Sequence, residues 1–320
     1  MTFTYTISFT LDTVTSLPPV AGSEEQRAYW VAPDLLAWPM SLLPRGMNRE
    51  KVVTDSGRPV PGTGLAFQLV TAPEGGAAAV HGRIVGADGL AAPTLTPLRV
   101  VGNLPESVRT AHPNLEGYIA LSPTDSAGTP LLDGDAIAAA LTGQVAVAQH
   151  VDANTDGNGG RLDAFTGVQT AIVLDRLYAE AASRADLGVT FSDGSSDNAD
   201  AGRPSFALWA PTAKTVTLLT WQTGDPLGSV PEMPGPAMRT PAIQDDDGRW
   251  CVPNADGRIG VGCQYLWEVK VYVPSTRRVE TNIVTDPYST ALTTDSTRSV
   301  AVDLADARLA PDQWAAVPAP

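Results

Sequence analysis

The side chains best suited to acid–base chemistry in this sequence are its 35 acidic residues and three histidines. Acid–base catalysis by a carboxylate pair needs two such groups in a cleft that raises the pKa of one of them. The densest acidic cluster, Asp245 to Asp247, stands in a turn before a short strand, where we expect water to solvate it. His81, His112 and His150 are far apart along the chain, and no Ser or Cys accompanies them in a nucleophile motif. The sequence therefore predicts no catalytic residues.

One polar segment has the spacing of a calcium-binding loop. Its oxygen-bearing side chains fall at the coordinating positions, and Gly157 falls at the sharp turn. These candidate ligands are Asp152, Asn154, Asp156, Asn158 and Asp163. Against calcium, Asp163 stands where Glu is usual, Gly159 replaces an aliphatic residue, and a strand rather than a helix precedes the segment. An enlarged polar turn is therefore the alternative interpretation; calcium is the one cofactor suggested, and none is required.

Flat aromatic side chains in the second half of the chain are candidates for contact with a ligand that has both an apolar face and hydroxyl groups, such as a sugar. Trp221 ends a strand before a polar turn, so we expect it to be the most exposed of them. Trp209 and Trp250 are further candidates, although Trp250 opens a short strand whose pattern favours the core. Trp267 shares the apolar phase of a long strand and is expected in the core.

The two cysteines, Cys251 and Cys263, lie on what look like consecutive strands joined by a turn-rich segment. On a hairpin they would face each other, which permits a disulfide in an oxidising compartment. Two small half-buried thiols are the alternative. Their spacing does not make a zinc site, because no second pair completes four ligands.

Charge and composition narrow the classes of partner. The formal net charge is −14, which repels nucleic acid and anionic lipid surfaces. No apolar run reaches the ~20 residues that span a bilayer, so neither a nucleic-acid nor a membrane partner is expected. The N-terminus alternates apolar and polar residues from Met1 to Leu11, which predicts a strand rather than a signal peptide. An extracellular and a cytoplasmic location both remain open.

The pattern of the chain predicts a mainly β fold with two sandwich-like domains. Short extended segments alternate with turn clusters from residue 27 onward. Two short helices are predicted at Asp133–Leu141 and Gln169–Ser183. A polar, glycine-rich stretch at Ser192–Arg203 predicts a domain boundary there or a few residues before it, and a second β-rich segment follows.

Several motifs of the second segment resemble a known family. Ser205 to Trp221 (SFALWAPTAKTVTLLTW), followed by VYVPST, VETN and TDPYS in that order, looks like the family 48 carbohydrate-binding module of pullulanase-type α-1,6-glucosidases. Upstream, AYWVAPDLLAWP and the segment from Gly143 to Phe191 look like the domain that precedes this module in type I pullulanases and limit dextrinases. The resemblance covers roughly residues 27 to 314.

This resemblance implies a domain organisation. Residues 1–26 are expected to form an N-terminal strand and extension, 27–190 a pullulanase-type β domain with short helices, and 191–203 a linker or loop. Residues 204–303 are expected to form an immunoglobulin-like (early-set) binding module, and 304–320 a connector into a catalytic barrel that is absent here. The family's glycoside hydrolase family 13 motifs are not found in the sequence, so no catalytic residue is carried over.

The resemblance implies an accessory role: positioning α-glucan (pullulan, glycogen or limit dextrin) and supporting the catalytic barrel of a debranching enzyme. Related glycogen-sensing modules carry a Lys and a second Trp after the corresponding strand. In this sequence Leu266 and Val279 stand near those places, which favours the supporting role over direct sugar binding. Two alternatives stay open. The chain is a free-standing α-glucan-binding module, or it is a structural or interaction protein without sugar affinity.

Overall fold

The computed structural model describes residues 20–152, 160–184, 186–191, 203–222, 235–253, 259–306 and 309. The predicted N-terminal strand, most of the predicted linker and the end of the connector lie outside these residues. Across the described part of the chain, every helix is too short or too polar to cross a membrane.

Seven strands of the first domain close into a barrel. The strands before residue 170 are β1 (Gln26–Ala32), β2 (Leu35–Pro39), β3 (Ala66–Ala72), β4 (Ala78–Val80), β5 (Arg83–Val85), β6 (Thr94–Asn103), β7 (Tyr118–Ser122), β8 (Gln144–Val151) and β9 (Arg161–Gln169). The barrel order is β1–β2–β7–β6–β3–β8–β9, and β4 pairs with β5 in a separate hairpin. A parallel pairing of β1 with β9, in which Gln26 lies opposite Gly167, closes the sheet, whereas the other barrel pairs are antiparallel.

Four α-helices accompany the barrel. They are α1 (Arg49–Val52), α2 (Glu106–Ala111), α3 (Gly134–Leu141) and α4 (Ala171–Leu177). The two helices predicted from the sequence correspond to α3 and α4. Asp133 caps α3: its carboxylate accepts a hydrogen bond of 2.8 Å from the amide of Ala136. Short 3-10 turns lie at Met40–Leu42, Pro113–Leu115, Ala179–Ser183 and Thr294–Ser296.

The barrel core is filled by two tryptophans and by aliphatic side chains. Trp30 and Trp38 are fully buried, and the ring of Trp38 meets Phe67 edge to face at 5.5 Å between centroids. Leu69 and Val147, which pair across β3 and β8, are fully buried in the same core. Burial of this apolar surface is the main stabilising contribution to the domain.

Two sheets make up the second domain. Its strands are β10 (Gly188–Phe191), β11 (Pro204–Trp209), β12 (Ala213–Trp221), β13 (Met238–Pro241), β14 (Ile243–Gln244), β15 (Arg249–Val252), β16 (Gln264–Val273), β17 (Arg278–Val284) and β18 (Ser299–Val300). One sheet has the order β10–β11–β15–β14; the other has β13–β12–β16–β17, with β18 beside β16. Phe206 and Trp250 of the first sheet share one apolar core with Tyr265 and Trp267 of the second, so the sheets pack face to face.

The predicted fold class, mainly β with two sandwich-like domains of which the second is immunoglobulin-like, is confirmed. In the first domain, the strands on both sides of the core belong to one closed sheet, because β9 pairs with β1. The predicted division of the chain into domains stays a prediction, with its linker or loop expected at 191–203 and the boundary there or a few residues earlier. Strand β10 precedes this segment, and its Val189 already pairs with Phe206 of β11, so the second domain's sheet starts at Gly188.

Backbone contacts hold the two domains together at the turn after β3. The amide of Gly76 donates a hydrogen bond of 2.8 Å to the carbonyl of Arg277. Gly75 has φ +79°, and a Cβ placed on it would lie 2.5 Å from the same carbonyl. The side chain of Gln144 supports this turn, since its amide both donates to and accepts from the backbone of Ala77 at 2.8 Å. Only glycine fits at position 75, because the backbone there has a positive φ and comes this close to the carbonyl of Arg277.

Two ion pairs reinforce this domain junction. Arg277 pairs with Glu24 at 3.1 Å, and Lys214 pairs with Glu74 at 3.4 Å. Each pair joins the first domain to the second. Because the groups are partly exposed, we expect each pair to add little stability and mainly to fix orientation.

Candidate functional site

Trp221, the leading aromatic candidate, lies half-buried at the end of β12. The guanidinium of Arg298 stands over its ring at 4.0 Å from the centroid. Arg298 in turn donates a hydrogen bond of 3.0 Å to the side-chain oxygen of the buried Gln264. The indole N–H of Trp221 donates to the carbonyl of Gly235 at 3.3 Å. Arg298 therefore covers one face of the ring, which leaves only the other for a ligand.

The other two candidate tryptophans serve as packing residues. Trp209 donates to the carbonyl of Asp247 at 3.0 Å and meets the ring of Tyr178, which follows α4, edge to face at 6.4 Å. It thus lies between the two domains. Trp250 is buried in the sandwich core and donates to the carbonyl of Ala210 at 2.9 Å. In this conformation the ring of Trp250 has no exposed face to offer a sugar.

The acidic cluster is tied into an ion network instead of being fully solvated, which corrects the expectation for this turn. Asp245 accepts hydrogen bonds from the amides of Asp247 at 3.1 Å and Arg249 at 3.0 Å. Arg184 pairs with Asp247 and, at 3.0 Å, with Asp186. Arg249 pairs with Asp186 and, at 2.8 Å, with Asp245.

These contacts decide the protonation of the cluster. Burial acts to raise the pKa of Asp245, but the hydrogen bonds from Arg249 outweigh it and hold that pKa below its ordinary value. Hydrogen bonding from Arg184 likewise lowers the pKa of Asp186. Both carboxylates stay ionised near neutral pH, so neither can act as a general acid there. The cluster connects the segment after α4 to the sandwich and has a structural role.

The structure does not bring the three histidines into a catalytic arrangement. His81 lies in the β4–β5 turn, His112 ends α2, and His150 lies on β8. Burial lowers the pKa of His150, so its ring is neutral at neutral pH. The Nε2 atom of His150 is buried, and it has no hydrogen-bond partner among the residues that the structure describes.

Only part of the predicted calcium loop can be compared with the structure. Asn154, Asp156 and Asn158 lie outside the described residues. Asp152 is exposed, while the carboxylate of Asp163 accepts hydrogen bonds from Gln149 at 3.1 Å and Arg161 at 3.3 Å. Among the residues that the structure describes, no group of three or more His, Cys, Asp or Glu side chains is placed to hold a metal ion. Calcium binding stays a prediction.

The expected hairpin arrangement of the two cysteines is wrong. Cys251 lies on β15, whereas Cys263 comes directly before β16, which belongs to the opposite sheet. Both are free thiols, and Cys263 is fully buried. The turn-rich connection leads from one sheet to the other, so strands adjacent in sequence are not paired. Burial raises the pKa of Cys263 to about 12.

A cavity of about 780 Å³ lies beside the domain junction, and the sequence analysis did not single out its residues. The first domain contributes the segment around Gln26 and the start of α4, and the second contributes Thr212, Tyr272 and Ser275. Burial raises the pKa of Tyr272 to about 12, so its hydroxyl is neutral. The residues that line the cavity are far apart in the sequence. Among them, only Tyr272, an aromatic residue in the long strand β16, is recognisable from its local sequence as a candidate ligand contact.

The first domain has recognisable relatives. Residues 25–176 match the family described as the pullulanase N2 domain. A pullulanase from Klebsiella pneumoniae is 33% identical over 222 residues, which cover 69% of this chain and 17% of that protein. The chloroplastic pullulanase 1 of Arabidopsis thaliana is 32% identical over 155 residues, 48% of this chain and 14% of its own length. The chain is homologous to the N-terminal region of pullulanases.

Solved pullulanases share the fold across both domains. A maltotriose complex of a K. pneumoniae pullulanase mutant matches with a TM-score of 0.66 and 25% identity, covering 94% of this chain and 26% of that one. PulA from Klebsiella oxytoca matches with a TM-score of 0.64 and 26% identity, covering 93% of this chain and 23% of that one. The N2 domain and the sandwich therefore occur together in these relatives, and the chain spans about a quarter of their length or less.

Proposed function

We propose that this chain is the non-catalytic N-terminal region of a pullulanase-like debranching enzyme, in which it positions α-glucan and supports the catalytic domain. The observation that carries the proposal is the structural match to pullulanases over 94% of the chain, across both domains. The parent enzyme would hydrolyse the α-1,6 branches of pullulan, glycogen or limit dextrin. In the acidic cluster, Asp186 and Asp245 have lowered pKa values, whereas the general acid of such a hydrolysis needs a raised one.

The supporting role is favoured by apolar side chains on the edges of the sandwich. Ile243 on β14 is 70% exposed, and Ile283 on β17 is 57% exposed. In the described residues both strands end their sheets, so they leave backbone groups unpaired beside apolar surface. Such edges suit contact with another domain, and we assign them to the catalytic barrel of the parent.

The glucan-positioning role rests on the aromatic side chains of the second domain. Trp221 remains the leading contact, because its ring is half-buried and Arg298 holds it in place. A fixed ring loses little conformational entropy when a sugar stacks on it. Trp209 and Trp250 are assigned a smaller part, since the one packs between the domains and the other lies in the core.

Affinity electrophoresis in gels that contain glycogen or pullulan tests the proposal. We expect the chain to be retarded relative to a gel without glucan, and to release no reducing sugar from pullulan. Trp221→Ala should weaken the retardation, while Trp221→Phe, which keeps an aromatic ring, should retain most of it. Unretarded migration would contradict the positioning role, and release of reducing sugar would contradict a non-catalytic one.

A further inference from the structure

The cavity at the domain junction has the size and construction of a ligand site. Its volume of about 780 Å³ lies within the range of roughly 300–1,000 Å³ that small-molecule sites occupy. Its walls come from both domains, with Gln26 on one side and Tyr272 on the other. The Gly76–Arg277 hydrogen bond and the Glu24–Arg277 ion pair lie at the same junction and fix the walls relative to each other. A cavity held in this way needs little rearrangement to accept a ligand.

The charges around the cavity are neutralised. Three charged side chains line it, namely Glu24, Glu25 and Arg277. Glu24 pairs with Arg277 at 3.1 Å, and Glu25 pairs with Arg27 at 3.2 Å. Because every charged side chain in the wall has a partner of opposite sign, the cavity offers no unbalanced charge to an ionic ligand. The lining of the cavity therefore suits an uncharged ligand.

Neutral hydrogen-bonding groups are available on the sandwich side of the cavity. Among the described residues, no hydrogen bond occupies the hydroxyl groups of Thr212, Tyr272 or Ser275. Apolar side chains, including Leu174 of α4 and Val271 of β16, complete the wall. Hydroxyl groups, an aromatic ring and apolar surface together match a sugar, which has hydroxyls at its edge and apolar C–H groups on its faces.

We propose that this cavity is a binding subsite for a segment of α-glucan, gripped between the N2 domain and the sandwich. The inference rests on the proposed function, which supplies α-glucan as the sugar. Tyr272 provides the ring against which a glucose unit packs, and Thr212 and Ser275 hydrogen-bond its hydroxyls. This subsite is separate from Trp221. The domain junction lies at the Ala213 end of β12, whereas Trp221 lies at the other end of that strand.

Titration calorimetry with maltotriose, on the whole chain and on variants, tests the subsite. Tyr272→Ala should weaken binding about tenfold, because stacking and burial of one aromatic ring contribute on that order. Ser275→Trp, at an exposed position, should weaken it at least as much by filling the cavity. Lys270→Ala, an exposed change on the same strand, is the matched control and should bind as wild type does. Circular dichroism melting checks that all variants fold.

The outcomes separate this inference from the proposed function. If Tyr272→Ala and Ser275→Trp bind maltotriose as wild type does while Trp221→Ala does not, the subsite is overturned and the glucan-positioning role stands. If wild type binds neither maltotriose, glycogen nor pullulan, both fail.

Nuclear magnetic resonance provides a second readout. Maltotriose should shift the amide signals of Gly143, Gly167 and Ser275, which line the cavity from both domains. Shifts confined to the surroundings of Trp221 would overturn the subsite.

Discussion

The two β domains bury different kinds of polar group. The barrel buries neutral side chains, among them Gln144, Gln149 and Thr166. The sandwich also buries neutral side chains such as Gln264, and in addition it buries three that can ionise, namely Cys263, Tyr265 and Asp286. The hydrogen bonds of neutral amides do not change with pH. The contribution of a buried acid or thiol to the free energy of unfolding, by contrast, depends on whether that group is protonated. Buried Asp286, Tyr265 and Cys263 should therefore make the sandwich sensitive to pH, whereas in the barrel the comparable group is the half-buried His150, whose pKa burial lowers.

In the barrel, one glutamine satisfies several buried groups. The side-chain oxygen of Gln149 accepts a hydrogen bond of 3.0 Å from the indole N–H of Trp38. Its side-chain nitrogen donates to the carbonyl of Leu42 at 2.9 Å and to the carboxylate of Asp163 at 3.1 Å. The barrel thus joins its largest core side chain to two other segments without a buried charge.

In the sandwich, a carboxylate takes the corresponding place. The hydroxyl of Tyr265 donates to Asp286 at 2.8 Å, and so does the amide of Tyr288. The amide of Asp286 donates to the hydroxyl of Ser299 at 2.9 Å, which fixes the loop. Burial raises the pKa of Asp286, and the hydrogen bonds it accepts only partly offset this. Ionised Asp286 is therefore held at a cost that the barrel avoids.

The largest expected effect is in the barrel core. Trp38→Ala should lower the free energy of unfolding by about 3–5 kcal/mol, because it leaves a cavity and removes the partner of Gln149. Trp221→Ala is the control on the sandwich side; its half-buried ring and its contact with Arg298 should contribute about 1 kcal/mol. Urea unfolding measures both. Similar losses for the two variants would show that the barrel core does not dominate stability.

The junction between the domains gives the next largest effect. Gly75→Ala should cost about 2–3 kcal/mol, since it combines strain at φ +79° with a Cβ 2.5 Å from the carbonyl of Arg277. Gly89→Ala is a matched control: Gly89 has φ +80°, but nothing lies within 4 Å of its Cβ. We expect about 1 kcal/mol there. Small-angle scattering should show a changed domain arrangement for Gly75→Ala alone. If Gly75→Ala and Gly89→Ala had equal effects on scattering and on stability, the close contact between Gly75 and Arg277 would not be what joins the domains.

Removal of the Tyr265 hydroxyl group tests how the buried carboxylate of Asp286 is stabilised in the sandwich. Tyr265→Phe should cost about 1.5–3 kcal/mol at neutral pH, because Asp286 loses a buried donor. Without that donor the pKa of Asp286 rises further, so the loss should shrink as the pH falls and the carboxyl becomes protonated. Denaturant unfolding of wild type and variant over a range of acidic to neutral pH measures this. A loss independent of pH would rule out Asp286 as the titrating partner.

The sequence predicted the elements better than their arrangement. The alternating pattern located most strands, and Asp133 marked the start of α3. Barrel closure escaped prediction, because the pairing of Gln26 with Gly167 joins segments far apart in the chain. For the same reason, the hairpin interpretation of the cysteines failed, and the sequence did not reveal that Tyr272 lines a cavity. Local pattern fixes which residues are buried, whereas clefts depend on distant pairings.

The smallest expected effect concerns the buried thiol of the sandwich at alkaline pH. In the unfolded chain a thiol ionises near pH 8.5, but burial raises the pKa of Cys263 to about 12. The folded state therefore holds its proton while the unfolded state releases it, so stability falls as the pH rises. By about one unit above the ordinary thiol pKa, wild type should have lost about 1 kcal/mol from this group.

Cys263→Ala should remove more of that decline than Cys251→Ala, because burial raises the pKa of both thiols but Cys263 is the more deeply buried. Unfolding free energies measured between pH 7.5 and about 9.5 keep the contribution of tyrosines small, since an unfolded tyrosine ionises only near pH 10. An equal alkaline decline in Cys263→Ala and wild type would place the titrating group elsewhere and break the contrast between the domains.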